Sequence, residues 1–189
     1  MTMASMPLPS TTRWIRRLRP LAWGGAAALL LAPWVAMRFT SEVAWTGSDF
    51  AVFGAMLLAG CVAFELVASA ARAPAYLAAS VIALGAAFLL VWANLAVGIV
   101  GEPSHPANLA FMAIPLAGII GALLSRRRPR GMAATLVAMA VLQVVAAGIA
   151  VPASAQEPRG FLLGYTAAYV AVWLLCAALF RKAADRAPR

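Results

Sequence analysis

Charged residues are scarce in this chain, and so are the residue types that most often carry chemistry. Of its 189 residues, 11% are charged and 64% are hydrophobic, with one histidine, two cysteines and six acidic residues. A soluble domain is about one quarter charged and about half apolar. A water-soluble fold could not bury this much apolar surface, so the composition indicates an integral membrane protein.

The few reactive side chains exclude several kinds of site. The single histidine, His105, lies outside the apolar segments, which excludes a haem held by two intramembrane histidines. Cys61 and Cys176 fall inside apolar segments at depths that differ by about 7 Å, which predicts two free thiols. The sequence contains no phosphate-binding loop and no Gly-x-Ser-x-Gly motif. No cofactor, metal site or catalytic residue is predicted.

Six stretches are long and apolar enough to cross a bilayer, which takes about 17 to 25 residues. The connections between them are short, and most contain proline or glycine, which punctuate helices. We therefore predict an all-α bundle of six transmembrane helices over residues 21–180, with a disordered basic lead (1–20) and a basic tail (181–189). The helices are Leu21–Met37, Ala51–Ala70, Leu77–Val100, Leu109–Ser125, Met132–Val151 and Phe161–Phe180.

The placement of lysine and arginine predicts the orientation. With the N-terminus inside, 13 of the 15 basic residues lie on the cytoplasmic side, and only Arg38 and Arg159 lie outside. Cytoplasmic loops carry such an excess, so both termini are predicted to be cytoplasmic. The net charge of +9 follows from this topology and from contact with anionic lipid. The expected partners are the lipid bilayer, a membrane protein or a second copy of this chain, and not nucleic acid.

The first apolar stretch also admits the interpretation of a cleaved signal peptide, because it follows a basic lead. Cleavage favours small residues at the −3 and −1 positions. The end of this stretch places Trp34 two residues before Ala36, which fits poorly. The motif therefore favours a retained helix.

Glu65 is the acidic residue that falls within a predicted span. A charge at the bilayer centre costs about 2.5–3.5 kcal/mol on insertion scales, which makes such a residue a functional candidate. Glu65 also lies about 8 Å from the inner end of its helix, so a structural ion pair is the favoured alternative. On a helical wheel it flanks a ladder of small residues, and we predict that it faces other helices. The partners considered are Arg72 or another arginine of the inner face, Ser80 and Thr135.

Small residues recur at four-residue spacing in three predicted helices, and such ladders allow helices to approach closely in lipid. We interpret them as packing surfaces, with the bulky side of the second helix facing lipid. Pro115 is expected to kink the fourth helix. The ladders are Ala51, Ala55, Ala59 and Ala63; Ala113, Ala117, Gly121 and Ser125; and Gly160, Gly164 and Ala168.

Other polar residues form two candidate groups. The intramembrane group would line a polar seam or form interhelical hydrogen bonds; with Glu65 it comprises Asn94, Gln143 and Tyr169. The outer group would meet over the bundle, or would form a solvated rim whose members cap helices. It comprises Glu42, Asp49, Glu102, His105 and Asn108. One histidine with scattered carboxylates lacks the ligand spacing of a metal site.

Several segments resemble a family of small uncharacterised bacterial multi-span inner-membrane proteins of unknown function. They are Pro33–Val43, Trp45, Asp49–Phe50, Phe88–Gly101 and Pro106–Leu109, and the likeness covers roughly the first 130 residues. The resemblance implies a bacterial inner-membrane location. It implies no mechanism.

Three functional classes are considered. A scaffold or accessory subunit of a membrane assembly is favoured, because no intramembrane ionisable pair or broken helix is evident in the sequence. A small-solute permease or channel acting as an oligomer would require polar residues around one mid-membrane cavity. A membrane enzyme acting on lipid-like substrates would require Glu42, Asp49 and His105 to converge on an outward pocket.

Overall fold

The chain is helical over most of its described length. The structure is a computed structural model, and it describes residues 10–71, 73–153 and 159–186. These residues form six α-helices and no strand, which confirms the predicted all-α fold. The helices are α1 (Ser10–Ala36), α2 (Gly47–Ala70), α3 (Pro74–Ala96), α4 (Asn108–Leu124), α5 (Pro129–Ala153) and α6 (Arg159–Asp185).

Five of the helices contain apolar segments of 23 to 27 residues, long enough to cross a membrane. The exception is α4, which has 17 residues. At 1.5 Å per residue α4 is about 25 Å long, against a hydrocarbon core of about 30 Å. It is therefore at the lower limit for a spanning helix, and its two ends must lie at the edges of the hydrocarbon if it crosses.

Two helices extend into segments that the sequence analysis placed outside the membrane domain. Helix α1 begins at Ser10, so the part of the predicted disordered lead from Ser10 to Pro20 is helical. Helix α6 continues to Asp185, through half of the predicted basic tail. Arginine, lysine, leucine and alanine all favour helices, so a helix does not have to stop where its apolar run stops. Residues 1–9 and 187–189 of these two segments lie outside the described residues.

The chain divides near Pro74 into two compact units, of which the first contains α1 and α2. Helix α2 starts with a capping box, in which the Thr46 side chain accepts from the Asp49 N–H and Asp49 accepts from the Thr46 N–H. Trp45 packs edge-on against the rings of Phe50 and Phe53, each at 5.3 Å between centroids. The cap and the ring contacts together fix the direction in which the chain enters α2.

The predicted lipid-facing side of α2 was wrong. Its buried side chains are the bulky ones, Phe53, Leu57 and Phe64, together with Cys61 and Ala68. The small residues Ala51, Ala55 and Ala59 are exposed. All sides of this helix are apolar, so hydrophobicity does not select a packing face. Large side chains gain more dispersion contacts than alanine when they are buried, and here they form the packed side.

The second unit contains α3 to α6, with α6 in contact with α5 and, through a ring contact between Tyr76 and Phe180 at 5.0 Å, with α3. Trp173, Phe180 and Phe111 are fully buried in it. Cys61 and Cys176 are both buried and free, as predicted.

Helices α4 and α5 approach each other closely at glycines. A Cβ atom added at Gly118 would lie 2.9 Å from the sulfur of Met139, and one at Gly121 would collide with the side chain of Thr135. Part of the predicted ladder of α4 is thus a packing surface, although Ala113, its first member, is exposed. Helix α4 continues through Pro115.

We expect Gly121→Ala to destabilise the protein by about 1–3 kcal/mol, because the added methyl group overpacks the contact with Thr135. The matched control is Gly148→Ala on α5, where an added Cβ meets nothing within 4 Å. The control is expected to unfold at or slightly above the wild-type temperature. Thermal unfolding in mild detergent measures both, and equal unfolding temperatures for the two variants would contradict the α4–α5 contact.

Candidate functional site

Glu65 is held by two side chains of α1. Its Oε2 atom lies 2.8 Å from Nη2 of Arg19, and its Oε1 atom accepts a hydrogen bond from Nε1 of Trp23 at 3.3 Å. Both oxygens of the carboxylate therefore have a partner on α1. Of the other expected partners, Thr135 donates to the Gly131 carbonyl oxygen of its own helix, the Ser80 hydroxyl has no hydrogen-bond partner among the described residues, and Arg72 lies outside them.

The depth of this cluster explains how a charged pair is tolerated. At 1.5 Å per residue, Glu65 lies about 27 Å from the start of α2 and Arg19 about 25 Å from the end of α1. If these helices span a bilayer, both residues therefore lie near the membrane surface that is opposite the α1–α2 connection. The side chains of Arg19 and Glu65 are 50% and 30% exposed. An exposed ion pair in water contributes about 0–1 kcal/mol, whereas an unpaired charge at the hydrocarbon edge is costly. The geometry supports Glu65 as a structural tie between α1 and α2.

Asn108 organises the connection between α3 and α4. Its Oδ1 atom accepts from the N–H groups of Ile99 at 3.1 Å and Val100 at 3.0 Å. Its Nδ2 atom donates to the carbonyl oxygens of Val100 at 3.2 Å and Glu102 at 2.8 Å. Asn94 adds a bond from its Nδ2 atom to the Asn108 carbonyl oxygen at 3.0 Å. Both asparagines are 3% exposed, so these bonds satisfy groups that water does not reach.

Glycine is required in the same connection. Gly98 has φ +81, and a Cβ atom there would lie 2.8 Å from the backbone of Glu102. Gly101 also has a positive φ, of 58°. At the far side of the turn the His105 ring accepts from the Ala107 N–H at 3.2 Å. The connection is a folded element in which His105 and Asn108 both bind backbone.

The outer polar residues of the first unit also bind locally. Asp49 belongs to the capping box at the start of α2, which is the capping contact that was predicted for its carboxylate. The Glu42 N–H donates to the Thr40 hydroxyl at 3.1 Å, and the Glu42 side chain is exposed. Asn108, by contrast, does not cap α4 with its side chain. Within the described ranges, no three His, Cys, Asp or Glu side chains are grouped so as to hold a metal ion.

Gln143 lies in the middle of α5 and is fully buried. Its Oε1 atom accepts from Nε1 of Trp173 at 3.5 Å. The indole can only donate, so the amide oxygen must face it and the NH₂ group must point elsewhere. That NH₂ group has no hydrogen-bond partner in the described part of the chain, and the same holds for the hydroxyls of Thr166 and Ser80. These atoms are among the buried polar groups that the packing of α3, α5 and α6 leaves without a partner in the described residues.

Tyr169 belongs to a row of aromatic rings along α6. It stacks against Tyr165 at 4.7 Å and against Trp173 at 5.9 Å between ring centroids. Tyr165 also contacts Phe111 of α4 at 6.4 Å. Two members of the predicted polar seam, Gln143 and Tyr169, therefore share Trp173 as a neighbour. Asn94 is not part of this group, because it bonds to Asn108 at the end of α3.

Trp23 was not predicted as a partner of Glu65, and Arg19 was covered only by the general expectation of an inner-face arginine, because it was placed in the lead before the first helix. The sequence could have indicated Arg19 as the partner of Glu65. Arg19 precedes the end of α1 by about as many residues as Glu65 follows the start of α2, so in two adjacent antiparallel helices they lie at the same depth.

Comparisons of the chain with protein-family models, with curated proteins and with solved structures gave no match in any of the three. The contacts of the chain's own residues are therefore the basis for assigning a function.

Replacing Glu65 by leucine should lower the unfolding temperature in detergent, because it leaves Arg19 unpaired and removes the acceptor of Trp23. Glu65→Gln keeps one acceptor oxygen and places an NH₂ group at the other donor, so it should unfold between the wild type and Glu65→Leu. Arg16→Gln is the control, since Arg16 is exposed on the same helix and makes no ion pair with a described acidic residue. If Glu65→Leu unfolds at the wild-type temperature, Glu65 does not tie α1 to α2.

Proposed function

We propose that this protein is a scaffold or accessory subunit of a membrane assembly in the inner membrane of a bacterium, with both termini in the cytoplasm. The observation that carries the proposal is what the polar side chains contact. Glu65 bonds to α1, Asn94 and Asn108 bond within the α3–α4 connection, and Asp49 caps α2. Because these polar groups stabilise the fold, they are not free to bind a substrate. This favours a function that the protein performs through contacts of its surface with a partner.

Two exposed helix surfaces support binding to another membrane protein. No residue in the most apolar window of α1 is buried. Helix α6 exposes Gly160 and Gly164, where an added Cβ would meet nothing within 4 Å, and Ala168 continues that row. Glycines four residues apart allow a second helix to approach closely, and in lipid such packing replaces the hydrophobic drive.

The proposed orientation is supported by charge. The connection between α4 and α5 and the first turns of α1 are rich in arginine, whereas the connections on the other side hold Arg38 and Arg159 only. Excess basic residues are retained on the cytoplasmic side of bacterial membranes. The resemblance to small bacterial inner-membrane proteins favours the same location.

A second candidate is a small-solute permease acting as an oligomer, and one observation favours it. The Gln143 NH₂ group on α5 and the Thr166 hydroxyl on α6 are buried, and neither has a hydrogen-bond partner among the residues that the structure describes. Unsatisfied polar groups inside a membrane protein are costly and mark possible solute or water paths. The permease hypothesis requires that Gln143→Leu abolish solute uptake in proteoliposomes while leaving the protein folded.

Purification in mild detergent from the native membrane tests the scaffold proposal. The expected result is a stoichiometric partner protein, or a second copy, that is lost with Gly164→Leu, because the larger side chain blocks close approach at α6. Gly148→Leu, at an equally open glycine on α5, is the control and should retain the partner. A monomer that carries only lipid, with solute uptake that depends on Gln143, would contradict the scaffold role and favour the permease.

A further inference from the structure

Four arginines lie in and next to the connection between α4 and α5: Arg126, Arg127, Arg128 and Arg130. All four are exposed. None forms an ion pair with an acidic side chain within the described ranges, where the ion pair found is Arg19–Glu65. The first turn of α5 also contains no acidic residue. The positive charge of this connection is therefore not balanced by the described part of the chain.

The backbone of the connection does not explain the choice of arginine. Arg126 and Arg127 have φ angles of 47° and 62°. This left-handed region favours glycine and, next, asparagine, because other side chains crowd the following carbonyl group. Two consecutive arginines at these positions are thus unfavourable for the turn. A residue kept in such a conformation suggests a role for its side chain.

The connection is also held in one shape. A Cβ atom added at Gly131 would lie 2.6 Å from the Cβ atom of Ser125, so the two helix ends are in close contact. The Ser125 hydroxyl donates to the Ala122 carbonyl oxygen at 2.9 Å, and the Arg128 N–H donates to the Ser125 carbonyl oxygen at 2.9 Å. The arginine side chains therefore project from a fixed turn.

The length of α4 sets the depth of this turn. About 25 Å of helix separates Asn108 from Leu124, which is less than the hydrocarbon thickness of about 30 Å. A spanning helix this short ends at the edge of the hydrocarbon, and a long arginine side chain extends from there to the level of the lipid phosphates. At that depth a guanidinium group meets phosphate oxygens, to which it donates paired hydrogen bonds.

We propose that the α4–α5 turn, Ser125–Arg130, binds the headgroup of an anionic phospholipid, with Arg126 and Arg127 as the side chains that contact its phosphate. The net charge of the headgroup matters, because a zwitterionic headgroup presents a cationic group beside the phosphate. The site does not depend on the scaffold role, and it would exist in a permease as well.

The test measures lipid binding by the purified full-length protein with native mass spectrometry, using phosphatidylglycerol, phosphatidylcholine and inorganic phosphate as probes. The variant is Arg126→Gly/Arg127→Gly, which removes two charges and suits the left-handed backbone, so it should unfold at or above the wild-type temperature. The control is Arg181→Gln/Lys182→Gln, which removes two exposed charges from α6.

The wild type and the control should bind phosphatidylglycerol more tightly than phosphatidylcholine. The glycine variant should lose about tenfold or more of its affinity for phosphatidylglycerol and none for phosphatidylcholine. Equal loss in the variant and the control, or no preference between the two lipids, would overturn the site. Displacement of the lipid by millimolar inorganic phosphate would show a site for soluble phosphate and would also overturn the proposal.

Discussion

Hydrocarbon offers no hydrogen bonds, so polar groups of this protein must find partners within the chain or lie at the membrane surface. The backbone meets this constraint by forming six helices within the described residues. Glu65 meets it through Arg19 and Trp23, which take both of its oxygens. In the α3–α4 connection, Asn108 supplies the donors and acceptors that water would otherwise give to the buried backbone.

The same constraint gives meaning to the groups that do not meet it. The Gln143 amide is satisfied on its oxygen and not on its nitrogen, at the middle of α5. The arginines of the α4–α5 turn have no acidic partner among the described residues, but they lie where lipid phosphates can supply one. One unsatisfied group is thus buried and the other is at the surface. Different occupants are expected for them, a solute or water in the first case and a headgroup in the second.

Hydropathy predicted the helices well, because the thickness of a bilayer sets how long an apolar run must be. It predicted helix ends less well: the arginines before Leu21 ended the apolar run, yet they continue α1. It did not predict which side of α2 is buried, because Phe53 and Ala55 are both apolar and only packing separates them. The partner of Glu65 depended on the relative rotation of α1 and α2, which no local pattern encodes. The left-handed Arg126 and Arg127 were missed because such turns are recognised by glycine or asparagine.

The six-span topology requires that α4 cross the membrane, although α4 is the shortest of the six helices described. The direct measurement places single cysteines at Ser104 and at Arg128, on either side of α4, with Cys61 and Cys176 replaced by alanine. A membrane-impermeant maleimide is then added to intact cells and to opened membranes. Labelling of Ser104→Cys in intact cells, with Arg128→Cys labelled only in opened membranes, is the predicted result. Labelling of both cysteines from the same side would show that α4 does not cross, and would contradict the six-span topology.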